Sequence, residues 1–179
     1  MPWYADDAAA RAEWRRKARK TLAEIRAERA APGFAPLVPP FHLRVYGDCA
    51  AEAVWLCDDQ GCFDIAPATL PVPASLAARC RLWADCYETH EDAWFDHHHV
   101  KDWPAPPFDH FKAINLRGFF LACAIKRALP GCRIEFLDEY RSLPWRDYSP
   151  DERGEKPPFL IEITAETLRH EAASRGLKR

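Results

Sequence analysis

Glycine is scarce in this chain, with seven in 179 residues. There is accordingly no Gly-rich loop to cradle phosphates and no Gly-x-Ser-x-Gly elbow with an oxyanion loop beside it. Nucleotide hydrolysis and serine-type acyl transfer are therefore disfavoured. His-Glu-x-x-His and paired Cys-x-x-Cys spacings are also missing. No apolar run approaches the roughly 18 residues that a membrane helix needs. The opening stretch MPWYADDAAARAEW has acids where a signal peptide needs bases, so a cytoplasmic protein is expected. Seven cysteines, an odd number, argue against a disulfide framework. Cys57, Cys80, Cys86, Cys123 and Cys132 sit among apolar residues, where thiols act as small hydrophobes. No internal repeat is visible.

What is present suffices for one ordinary domain. The hydrophobic share is 48%, with seven Trp and ten Phe. A chain of this size buries roughly 70% of its unfolded surface, so no metal or disulfide is needed to hold it. The net charge of -2 gives no global pull toward nucleic acid or acidic membranes. Bases are concentrated in residues 11–29, where Arg15, Arg16, Lys17, Arg19 and Lys20 cluster, and the remainder is correspondingly acidic.

Apolar periodicity orders the elements. Residues 5–31 read as a basic helix with Trp14, Ala18, Leu22 and Ile25 in a narrow stripe. A Pro-rich connector over 32–40 makes that helix a candidate appendage to a single α/β domain over 41–179. Strands are expected at Phe41–Tyr46, where Phe41, Leu43 and Val45 alternate with His42 and Arg44, and at Ala53–Cys57 and Cys62–Ile65 around an Asp58–Gly61 turn. A helix capped by Ser75 should run to about Glu88, followed by an irregular stretch over 89–107. The strongest helix signal covers Phe108–Leu129 and is apolar around most of its circumference, which predicts burial against a sheet. A fourth strand alternates Ile134 and Phe136 with Arg133 and Glu135. A fifth spans Phe159–Ile163, and Thr164 caps a closing helix over 165–176. The expected fold is α/β (α+β), a mostly antiparallel sheet of about five strands packed by two main helices, with an N-terminal helix.

Three segments carry candidate chemistry. In the His90–His110 segment, His90, Asp96, His97, His99, Asp109 and His110 offer nitrogen and oxygen donors for Zn²⁺ or Mn²⁺. Three successive histidines point in different directions, and ligand spacing is unmet, so no metal or other cofactor is expected. A metal-dependent hydrolase stays open as an alternative. The basic N-terminal helix could meet phosphates, leaving a nucleic-acid or regulatory adaptor as a second alternative, although few base-reading side chains accompany it. The third segment, the loop over 139–158, is long for a compact domain and interleaves aromatics with charge. Tyr140, Arg141, Trp145, Arg146, Asp147 and Tyr148 are of the types enriched at protein–protein hot spots, and they are the expected partner-binding residues.

The stretch Val54-Trp55-Leu56, Asp64-Ile65, Leu70-Pro-Val-Pro73, Leu76, Trp83 and Tyr87 resembles small cytosolic immunity-like proteins of bacterial polymorphic toxin systems. So does Phe111, Gly118, Leu121-Ala122 and Leu129, leading into Ile134-Glu135-Phe136. The resemblance covers roughly residues 53–137, and its motifs are core and capping residues. It departs at Val72-Pro73-Ala74 before Ser75, and the long N-terminal helix and the His-rich insert are additions. It implies a cytoplasmic, non-enzymatic protein that binds and inhibits a cognate toxin.

Overall fold

The structure, a computed structural model, describes residues 8–31, 35, 37–48, 51–99, 108–139 and 159–176; within helices, side chains are described over 16–30, 74–92, 110–128 and 165–174. Helix α1 (Ala8–Ala30) leads into β1 (His42–Val45), β2 (Val54–Asp58) and β3 (Gly61–Asp64). A 3-10 turn over Pro67–Thr69 precedes α2 (Ala74–His99) and α3 (Phe108–Ala128), and β4 (Arg133–Leu137), β5 (Leu160–Glu162) and α4 (Ala165–Gly176) complete the order. The strands form one five-stranded sheet in the order β3-β2-β1-β4-β5. Only β1 and β4 pair in parallel; the other three pairings are antiparallel. This is the expected α+β class.

The β2–β3 hairpin follows from its turn. Asp58 Oδ1 accepts the Gln60 and Gly61 amides at 2.8 and 3.2 Å. Gly61 sits at φ 142°, a conformation that side chains oppose. This two-residue turn sets Cys57 directly opposite Cys62, and a disulfide joins them. Cys57 is therefore not the free, hydrophobe-like thiol that its neighbours suggested. The odd cysteine count said nothing about a pair created by local register.

Alternation along the strands puts Leu43, Val45, Val54, Ile134 and Phe136 on one face, fully or almost fully buried. Helix α3 covers that face closely because Gly118 has no side chain. A Cβ there would stand 2.5 Å from the Trp83 ring and 2.9 Å from Phe136. Trp83 of α2 completes the seam, its indole N–H donating to the Ile114 carbonyl at 2.8 Å.

Helix α1 packs into this core. Ile25 is fully buried. Arg29 donates to the carbonyls of Ala68, Leu70 and Val72 at 3.3, 3.0 and 2.7 Å, and Arg81 of α2 pairs with Glu28 at 2.8 Å. Helix α2 also differs from expectation at both ends. Its first turn is closed by the Pro73 carbonyl, which accepts the Leu76 and Ala77 amides at 2.8 and 3.2 Å, so Ser75 lies inside the helix. It continues to His99, making residues 89–99 helical and not irregular. Packing on α3 supports that extension, since His90 is buried and stacks on Phe111 with ring centroids 4.9 Å apart. Thr164 caps α4 as expected, its Oγ1 accepting the Thr167 amide at 3.2 Å.

Candidate functional site

The other phase of the same alternation builds the second face of the sheet. Pairing aligns Cys62 and Asp64 of β3 with Cys57 and Trp55 of β2. It then aligns these with His42 and Arg44 of β1, and those with Arg133 and Glu135 of β4. Glu162 of β5 stands beside Glu135. Helix α3 contacts β1 and β4 from the apolar side, opposite this face.

Glu135 is the centre of this face and is only 2% exposed. Arg44 donates to its Oε2 through Nε and Nη2, at 3.2 and 3.0 Å. His42 Nε2 lies 3.0 Å from the same oxygen, while Arg133 Nη2 lies 2.7 Å from Oε1. Arg133 also reaches Glu162 at 3.7 Å. Burial alone pushes the Glu135 carboxyl up, but the Arg44 and His42 contacts and the Arg133 charge outweigh it and hold the group below its ordinary value. It is therefore a fixed anion that orders two guanidinium groups and an imidazole around itself.

Next to this cluster the Tyr46 and Trp55 rings stack, with centroids 4.6 Å apart and planes 16° from parallel. Both are partly exposed. Burial first, and the Asp48 carboxylate second, push the Tyr46 hydroxyl up, so it keeps its proton at neutral pH and remains a donor. The face thus presents two ordered aromatic rings and two ordered guanidinium groups on a rigid sheet. It can bind; among the described residues it lines up no nucleophile with a base.

Elsewhere, a shallow groove of about 480 Å³ runs between α3, β5 and α4, lined by Phe119, Ile161, Thr164, Glu166, Thr167 and His170 among others. The groove has an apolar floor, and the ionisable groups on its rim include the Glu166–His170 pair at 3.6 Å on α4.

Of the expected metal donors, His90 and His110 meet edge to face at 5.4 Å between α2 and α3. Burial, reinforced by the neighbouring His90, drives the His110 imidazole down to about 4. His110 is thus a neutral element of helix packing near pH 7. The side chains of Asp96, His97, His99 and Asp109 lie outside the described residues. Among the described residues no three His, Cys, Asp or Glu side chains converge on a metal-sized point. The expected partner-binding residues Tyr140, Arg141, Trp145, Arg146, Asp147 and Tyr148 lie wholly outside the described residues.

The residues that the sequence reading passed over are His42, Arg44, Arg133 and Glu135, taken there only as the polar half of two alternating strands. The signal was present, since charged residues in the polar phase of two different strands share a face if the strands pair. Nothing in either strand announces the parallel β1–β4 partnership. No helix among the described residues is long and apolar enough to cross a membrane. Compared with family models, curated proteins and solved structures, the chain matches none.

Proposed function

We propose that this chain is an immunity-type protein, a cytoplasmic inhibitor that binds a cognate bacterial toxin and blocks it. The observation that carries the reading is the charged sheet face opposite α3, where Tyr46, Trp55, Arg44 and Arg133 are ordered in advance by stacking and by Glu135. Aromatic and arginine side chains dominate protein–protein hot spots, and side chains already fixed lose little entropy on binding. Tyr140, Arg141, Trp145, Arg146, Asp147 and Tyr148, between β4 and β5 in the sequence, are of the same aromatic and charged types. An inhibitor also needs a stable scaffold, which the core on the opposite face supplies.

The test is co-expression with the product of the adjacent gene. Rescue of growth and a 1:1 complex burying about 1,200–2,000 Å² are the expected results. Trp55→Ala or Trp145→Ala should each weaken that complex by about 2 kcal/mol, roughly thirtyfold, with the melting transition kept. A neighbouring product that is harmless alone, or toxicity that this chain does not relieve, would refute the immunity reading. The hydrolase and adaptor alternatives would then be assayed directly.

A further inference from the structure

We infer that Cys57–Cys62 is a reversible thiol–disulfide exchange site, which opens and closes while the rest of the chain stays folded. The bond joins β2 to β3, the edge strand of the sheet, on the face opposite the one that α3 contacts. Cys62 is partly exposed, whereas Cys57 is 7% exposed, so an incoming thiolate meets the Cys62 sulfur first.

The hairpin does not depend on this bond. Asp58 closes the turn through the Gln60 and Gly61 amides. At the far end, the Ile65 amide donates to the Val54 carbonyl at 3.1 Å, and the Glu52 amide donates to Asp64 Oδ1 at 3.0 Å. The bond spans a sequence separation of only 5, so it removes little freedom from the unfolded chain. Opening it leaves a paired hairpin with the Cys62 thiol partly exposed and the Cys57 thiol buried beside it.

The other described cysteines contrast with Cys62, which alone among the described cysteines is partly exposed. Cys80, Cys86, Cys123 and Cys132 are all buried. Burial drives the Cys80 and Cys86 thiols up to about 12. Thiolate is the reactive form, so those two are inert.

The exchange balances with a dithiol as reductant. Its thiolate attacks Cys62 Sγ, the Cys57–Cys62 bond breaks, and Cys57 leaves as a thiolate that takes a proton from water. The second thiol of the reductant then attacks the mixed disulfide and frees Cys62. Two electrons and two protons pass to the protein, and the reductant becomes a cyclic disulfide.

This inference stands apart from the inhibitor reading and is tested on the full chain alone. Native protein is treated with dithiothreitol, alkylated with iodoacetamide, and mapped by mass spectrometry, with circular dichroism reporting the fold. Label should enter Cys62, and Cys57 more slowly, while Cys80, Cys86, Cys123 and Cys132 take none, and the spectrum should be unchanged. Oxidised glutathione added before alkylation should close the bond and remove both labels. Amide exchange in β3 should be on the order of tenfold faster in the reduced protein. The double variant Cys57→Ser/Cys62→Ser should match that reduced rate. If label reaches Cys57 and Cys62 only in denaturant, together with the four buried thiols, the bond is a structural clasp and the inference fails. It fails equally if the protein is labelled at both positions without reductant and oxidised glutathione does not join them.

Discussion

Neighbouring residues on β4 meet opposite fates: Phe136 is 1% exposed in an apolar seam, while Glu135 is 2% exposed among charges. Phe136 packs edge-on against Phe119 and lies under Gly118 and Trp83. Glu135 is covered by Arg44, His42 and Arg133. The two faces of one sheet are thus closed by different physics. On the helix side, apolar area leaves water, which stabilises the fold at about 25 cal/mol per Å². On the open side, desolvating a carboxylate and pairing it with guanidinium groups roughly cancel, so the cluster adds little net stability and much rigidity. A face whose order yields little folding energy is free to serve recognition.

The largest expected effect comes from the first helix, which belongs to the helix side even though the connector over 32–40 suggests otherwise. Deleting residues 1–31 removes the buried Ile25, the Glu28–Arg81 pair and the three carbonyl bonds of Arg29. Burial of Ile25 alone accounts for about 2 kcal/mol. Hydrogen bonds from a charged donor add roughly 1.5–3 kcal/mol each. Together these are a large share of the roughly 5–15 kcal/mol that holds a domain. The truncated protein should lose its cooperative melt and become molten or insoluble. A sharp transition within a few degrees of the full chain would show that α1 is an appendage after all.

Next in size is the contrast within β4. Phe136→Ala should cost about 3–5 kcal/mol, the range for an aromatic removed from a closed core. Glu135→Gln keeps the shape but leaves Arg44 and Arg133 with a weaker partner, and should cost only about 1–3 kcal/mol because both arginines can turn to water. Urea unfolding of the two variants measures the difference directly. Equal costs would mean that the charged face is as much a part of the folding core as the apolar one.

The elements legible in the sequence were those with a local signature. The apolar rows of α3, the alternation in β1 and β4, the Asp58–Gly61 turn and the Thr164 cap all appear close to where they were read. What escaped depends on residues far apart in the chain. His42 aligns with Arg133 and Arg44 with Glu135 only once β1 and β4 are paired in parallel, and neither strand encodes its neighbour. Arg29 reads as one more base on a basic helix, yet its guanidinium binds carbonyls about 40 residues away, with separations of 39, 41 and 43. The extension of α2 beyond Glu88 crosses residues with modest helix propensity, and contact between His90 and Phe111 overrides that weak preference.

The smallest expected effect separates the two faces by pH. His110 has its imidazole pushed down to about 4 by burial and by His90, against an ordinary 6.5 in the unfolded chain. The unfolded state therefore takes up a proton first as pH falls, so stability is full above 6.5 and declines from there to about 4. Because the ring is only half-buried, solvent screening reduces the loss to about 1 kcal/mol between pH 7 and pH 5. Glu135 is shifted in the opposite sense for its charge type. Its folded value lies below the ordinary 4.5, so its stabilisation persists above 4.5 and is lost only as pH falls through the folded value. The helix side should thus weaken in mild acid while the open face stays intact. Urea unfolding at pH 7, pH 5 and pH 3.5 resolves the two windows. His110→Gln should remove about 1 kcal/mol of the decline between pH 7 and pH 5, whereas Glu135→Gln should change the profile only below 4.5. A His110→Gln profile parallel to wild type through mild acid would mean that the imidazole takes its proton as readily in the folded chain as in the unfolded one.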